Sequence, residues 1–170
     1  MPSITATTIH GRPVRVPDPA ARLVHLQFRR FAGCPVCNFH LRTLSLRSAE
    51  IAAQGIHEVV FFHSGREEML RYQAELPFDC VADPTKAFYR RFGVETSLLA
   101  PLHPAVLWAG MRNVLATHRF YTRAENGILG LPADFLVGAD GGLLACHYGT
   151  HAADNWDADT LLRLAAVPTA

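Results

Sequence analysis

Two cysteines separated by two residues, in the run FRRFAGCPVCNFHLRTL (residues 28–44), are the side chains whose type and spacing point to chemistry. A cysteine at the start of a helix meets backbone N–H groups that lack an intrahelical partner, and the positive end of the helix dipole. Both favour the thiolate, the form that reacts. Cys34 falls at this tip, with Pro35 in a first-turn position, and Cys37 lies on the same face at the head of an inward apolar stripe. The spacing predicts an exposed, low-pKa thiol at Cys34 and a more buried Cys37 within disulfide reach. Arg29 and Arg30 add positive potential, and strand alternation puts only one of them on a given face.

Other chemistries compete for the same residues. Structural zinc takes four ligands, usually in two pairs; His40 extends the run to Cys-x-x-Cys-x-x-His, but Cys80 and Cys146 stand singly. Haem attachment needs His directly after the second Cys, where Asn38 stands. Two inert buried thiols are the bland alternative. The strand-to-helix context favours a redox pair. The Cys34 thiolate then attacks an electrophilic sulfur or oxygen, and Cys37 resolves the mixed disulfide or the sulfenic acid. Either route ends at a Cys34–Cys37 disulfide and needs an external thiol reductant; no bound cofactor is implied.

The elements that must position the pair follow from hydrophobic periodicity. RLVHLQF (22–28) alternates as a strand, and from Pro35 apolar positions recur at helical steps through Ile51 until Gly55. IHEVVFF (56–62) is a second strand, and its parallel pairing with the first needs a crossover helix of this kind. Ser64 to Glu67 has capping-box spacing and opens a helix through about Glu75. FDCVA (78–82) is a short strand; Asp83-Pro84 caps a helix that Gly93 ends. DFLVG (134–138) and LLACH (143–147) flank a hairpin turn, and Asp157 begins a last amphipathic helix. TATTIHGRPVRVP adds an N-terminal hairpin turned at His10-Gly11. The order predicts one α/β domain over residues 1–170: a thioredoxin-like mixed sheet with helices on both faces. A helical insert near residues 97–130, PAVLWAGMRNVLA within it, is read as cover for the core; its rivals are a homodimer interface or a wall of the active-site mouth.

A chain of 170 residues with 49% apolar and 18% charged residues and net charge +1 carries no electrostatic footprint for nucleic acid or an anionic membrane. The N-terminus lacks a basic start followed by an apolar segment, which predicts a cytoplasmic protein. Cys80 reads as a buried strand residue. Cys146 reads similarly, its place near a strand end leaving a remote resolving role open. His147, Tyr148, His151, Asp154 and Trp156 read as a loop that packs and caps the last helix, and His40 as a helix-surface histidine.

The runs FRRFAGCPVCNFHLRTL, LPFDCVADPTKAFYRRFGVE and LPADFLVGADGGLLACHYGTHAADNW together resemble the peroxiredoxin-like branch of the alkyl hydroperoxide reductase/thiol-specific antioxidant family. The resemblance covers most of residues 22–165 and is weakest over the insert. It implies a thioredoxin-like fold and thiol-based reduction of peroxides or disulfides. Peroxiredoxins proper place Pro seven residues and Thr or Ser three residues before the attacking Cys; here those positions hold Gln27 and Phe31. They also place an Arg where this chain has Pro132, three residues before Phe135. Pro132 resembles instead the cis-proline of thioredoxin-like oxidoreductases, facing the cysteine pair; its bland reading is a proline at a strand start. Arg119 or Arg123 would replace the missing cation if the insert folds over the site. The rival function is a redox-inert module that binds or dimerises through residues 103–117, or a metal-binding Cys-x-x-Cys protein.

Overall fold

The computed structural model describes residues 1–94, 108, 126, 127 and 129–167; most of the insert, with Arg119 and Arg123 and the readings placed on residues 103–117, lies outside them. The N-terminal hairpin pairs β1 (Ile4–Thr7) with β2 (Pro13–Val16), and Gly11, at φ +84°, turns it as expected. Five further strands form one mixed sheet. The central strand β3 (Leu23–Phe28) runs parallel to β4 (Ile56–Phe62) and antiparallel to β6 (Ala133–Gly138). Beyond β4 lies parallel β5 (Asp79–Ala82), and beyond β6 lies antiparallel β7 (Leu143–Tyr148), giving the order β5-β4-β3-β6-β7. The parallel pairs need crossovers, which α1 (Pro35–Ser45), α2 (Ser48–Ala53) and α3 (Arg66–Tyr72) supply. Two further helices, α4 (Ala87–Arg91) and α5 (Ala158–Ala165), complete the described elements.

Alternation along β3 divides the core. Val24, Leu26 and Phe28 pack with Ile4, Val14 and Val16 of the hairpin and with Tyr89 and Phe92 at α4. Leu23 faces the other way, into a cluster with Leu41 and Leu44 of α1, Ile51 of α2, Met69 of α3 and Leu161 of α5. Helices therefore cover both faces, as the element order predicted. Among the described residues no helix is long and apolar enough to cross a membrane.

Three local expectations are corrected. The helix predicted from Pro35 to Ile51 breaks at Leu46 and Arg47, where Arg47 N–H donates to Leu44 O at 2.9 Å, three residues back rather than four. The Ser64 capping box does not form: α3 starts from Gly65 with no side-chain cap and ends at Tyr72, because the Ser64 hydroxyl serves Ala32 instead. Asp83 does cap α4, accepting from Ala87 and Phe88 N–H at 3.0 and 2.7 Å, but the helix begins at Ala87 rather than next to Pro84. At α5, Asp157 caps as expected, accepting from Thr160 N–H at 2.8 Å.

Candidate active site

The loop that leaves β3 is bound at almost every residue. Arg29 N–H donates to Phe61 O at 2.8 Å, His63 N–H to Arg30 O at 3.2 Å, and Ala32 N–H to the Ser64 hydroxyl at 2.9 Å. Ala32 O accepts from the amides of Asn38 and Gln73, both at 2.8 Å, and the Tyr89 hydroxyl donates into the Arg29 and Phe61 carbonyls. These bonds hold Cys34 as the N-cap of α1, where its sulfur accepts from Cys37 N–H at 3.4 Å.

Cys34 and Cys37 meet, with free sulfurs 2.9 Å apart. A disulfide needs about 2.05 Å, so closure asks less than one ångström of movement. The expected exposure is corrected: Cys34 and Cys37 are both buried, at 0% and 1% exposure. Around Cys34, Phe31, Ala32 and Val36 belong to the same apolar cluster, and they exclude solvent.

Burial is the largest influence on both thiols and favours the protonated form. For Cys37 it is outweighed by the hydrogen bond to Cys34 and by the charge of Arg30, which bring it down to about 7. Cys34 is pushed up by burial and then by Cys37 beside it. The first ionisation therefore belongs to the pair, with one proton shared between two sulfurs. Cys37 N–H and Arg30 Nη1, the latter 3.7 Å away, both aim at Cys34 Sγ, whereas the Arg30 backbone N–H serves Cys37; the expected low pKa at Cys34 is therefore corrected, since the lowered thiol is Cys37. The Arg30 guanidinium also lies over the Phe31 ring, 5.5 Å from its centroid.

Arg29 and Arg30 diverge, as alternation requires. The Arg29 guanidinium is wholly buried on the α1 side, donating to Asp134 and Gln27 at 2.6 Å. His40, expected on the helix surface, instead turns its Nε2 onto Arg29 Nη2 at 3.2 Å. Burial and then the Arg29 charge lower it to about 3, so it is neutral and accepts that bond.

Pro132 precedes β6 at the end of the sheet where the cysteine loop leaves β3, since Ala133 pairs with Phe28. Its expected cis bond is absent: among the described residues the cis peptide is Val16–Pro17. Pro132 O accepts from Gly149 N–H at 2.9 Å, and its ring packs on Gly149, at the edge of a cleft of about 420 Å³ shared with Gly93, Leu131 and Tyr148. Two residues earlier, a Cβ on Gly130 would lie 3.0 Å from His63 Nε2 and 3.8 Å from Arg30 Cγ, so this strand entry passes close over the Arg30 side.

The remaining sulfurs lie elsewhere. Cys80 is a buried strand residue, and burial pushes it up to about 12. Cys146, expected to be buried, is exposed on the outer strand β7. The histidine-rich loop closes on itself: His147 Nε2 meets Asp154 at 2.8 Å, Asp154 accepts from Thr150, and Trp156 stacks between His25 and His147. Among the described residues no group of three His, Cys, Asp or Glu is placed to hold a metal ion.

Residues 43–151 match the family model described as AhpC/TSA antioxidant enzyme, a span that begins after Cys37. No curated protein sequence matches the chain. Solved structures match at low identity. Peroxidoxin BcpB from Mycobacterium tuberculosis is 14% identical, covering 99% of this chain and 96% of that one with a TM-score of 0.71. A mutant of peroxiredoxin Q from Xanthomonas campestris is 15% identical, covering 96% and 89% with a TM-score of 0.64. A protein described as a thiol:disulfide interchange protein, DsbE, from Chlorobium tepidum is 17% identical, covering 97% and 94% with a TM-score of 0.62. The fold is thioredoxin-like.

Proposed function

We propose a function from one premise: the chain belongs to the AhpC/TSA antioxidant enzyme family. The reaction is reduction of a small hydroperoxide by the Cys34–Cys37 dithiol. The observation that carries it is the pair of free sulfurs 2.9 Å apart at the start of α1, with Arg30 Nη1 3.7 Å from Cys34 Sγ.

The Cys34 thiolate attacks a peroxide oxygen, the O–O bond breaks, and the leaving alkoxide or hydroxide takes a proton to depart as alcohol or water. Cys34 is left as a sulfenic acid. The Cys37 sulfur attacks it, the S–O bond breaks, water leaves, and the Cys34–Cys37 disulfide forms. Two electrons pass from the dithiol to the peroxide, and an external thiol restores the reduced pair, which fits a reducing compartment. Arg30 stabilises the thiolate and the charge that develops on the leaving oxygen, in place of the family's cation from the later strand. Phe31 offers no hydroxyl, so orientation rests on Arg30 and on the Cys37 N–H. Pro132 carries no step in this scheme. Burial of Cys34 supports a small peroxide over a protein disulfide, whose exchange needs three sulfurs in line and an accessible one among them.

The test is the rate at which fully reduced protein forms the 34–37 disulfide with stoichiometric hydrogen peroxide, followed by peptide mass spectrometry. Oxidation orders of magnitude faster than free cysteine is expected. Oxidation no faster than free cysteine, with the disulfide still formed from a disulfide donor, replaces peroxide reduction by thiol–disulfide exchange.

A further inference from the structure

Beneath α1, the central strand carries polar residues where its pattern calls for apolar ones. His25, Gln27 and Arg29 occupy alternate positions on the face toward α1, and all three are fully buried. Asp134, from β6, is also 0% exposed, and Glu58, from β4, is 6% exposed. They form one connected network. His25 Nδ1 meets the Glu58 carboxylate at 2.9 and 3.1 Å, and Nε2 meets Asp134 Oδ1 at 3.1 Å. Each carboxylate oxygen can only accept, so both ring nitrogens donate and His25 is an imidazolium. Gln27 donates to Glu58 and accepts from Arg29, and Arg29 pairs with Asp134 and reaches His40 on α1. Trp156 stacks on the His25 ring and donates its backbone N–H to Asp134.

Two cations thus face two anions, and the network is neutral only while His25 keeps its second proton. A neutral His25 would leave an uncompensated negative charge directly behind the cysteine helix, where low dielectric makes it felt. His40 stands one helical turn past Cys37, so Arg29 brings the network to the same face as the dithiol. Glu58 is its contact with solvent, opening on a cleft of about 280 Å³ between Arg12, His57, Phe78 and Asp79.

We propose that His25, Glu58, Asp134 and Arg29 act together as positioning residues that set the acidity and reduction potential of the Cys34–Cys37 pair. The inference rests on the dithiol reading above. Protonated His25 and Arg29 together offset Asp134 and Glu58, leaving the potential of Arg30 at the sulfurs. That potential stabilises the thiolate and hence the reduced protein, making the pair more oxidising. The other charged group that His40 feels is Asp157, at the start of α5.

The experiment compares wild type, His25→Gln and the isosteric Glu58→Gln, each titrated for thiolate absorbance and equilibrated with glutathione for its reduction potential. His25→Gln removes a positive charge, and the first thiol pKa is expected to rise by roughly half to one pH unit with a more reducing potential. Glu58→Gln removes a negative charge, and both readouts are expected to move the opposite way. A purely structural network moves stability while leaving both readouts still or shifting both variants in the same sense, which overturns the proposal. If His25→Gln does not fold, Glu58→Gln decides alone: a fall in pKa supports the inference, and no shift or a rise overturns it. Absence of a Cys34–Cys37 disulfide in oxidised wild type overturns the dithiol reading itself, a result separable from the shifts in the variants.

Discussion

The Arg30 guanidinium reaches Cys34, four residues along the chain, and sets Nη1 3.7 Å from the sulfur. No later strand is needed to bring a cation to the site: the loop that delivers the cysteine delivers its counter-charge. Arg30→Met is expected to raise the first thiol pKa, which the Arg30 charge now holds down, and to slow peroxide oxidation by roughly tenfold or more, since one pKa unit is tenfold in the equilibrium. Arg30→Lys keeps the charge without the planar fork and should recover part of the rate. Stopped-flow oxidation across pH separates the two effects.

The order of the two sulfurs is a second prediction. Cys37→Ser should still consume one equivalent of peroxide, stop at the sulfenic acid, and label Cys34 with a carbon-nucleophile probe. Cys34→Ser should lose rapid oxidation altogether. Equal labelling of Cys37 in Cys34→Ser would reverse the assignment of attacking and resolving thiols.

Ser64 supplies a structural test of the loop. Its hydroxyl is the acceptor for Ala32 N–H at 2.9 Å, and both residues are fully buried. Ser64→Ala leaves that N–H without its partner, and the expected loss is about 1–3 kcal/mol, seen as a lower urea midpoint with unchanged slope.

The buried imidazolium makes stability depend on pH in a defined sense. His25 titrates near its ordinary 6.5 when unfolded and is raised to about 9 when folded, where the attraction of Glu58 and Asp134 outweighs the opposing effect of burial. The folded state therefore binds more protons between these values. The contribution is complete below about 6.5 and is lost as pH rises through about 9, on the order of 3 kcal/mol. His40 works on the acid side: lowered to about 3 by burial and Arg29, it makes stability fall as pH drops from 6.5 toward 3. Unfolding measured in the Cys34→Ser/Cys37→Ser background, free of thiol titration, should peak near pH 6.5. The alkaline decline should shrink in His25→Gln.

Much of this fold is legible in the sequence. Alternation in LVHLQF and IHEVVFF, with a helix-forming run between them, requires a parallel pair and a crossover, and that is how β3, α1 and β4 are arranged. Gly11, Asp83 and Asp157 announced a turn and two caps through backbone chemistry that acts within a few residues. The errors occurred where a side chain had two possible partners. Ser64 has capping spacing, yet its hydroxyl meets the Ala32 N–H, 32 residues away in sequence, and no local rule ranks those choices.

By itself the sequence determined the cysteine spacing, the helix start that places both sulfurs on one face, and the opposite facing of Arg29 and Arg30, because each depends only on the periods of helix and strand. The tertiary structure alone decided that Cys34 is buried, that His40 turns inward, and that Cys146 lies exposed. It also decided that Glu58 and Asp134 flank His25, 33 and 109 residues away in sequence. Solvent exclusion and charge pairing arise between strands that are neighbours in space, and a one-dimensional pattern shows only the unusual polar residues that such neighbours must satisfy.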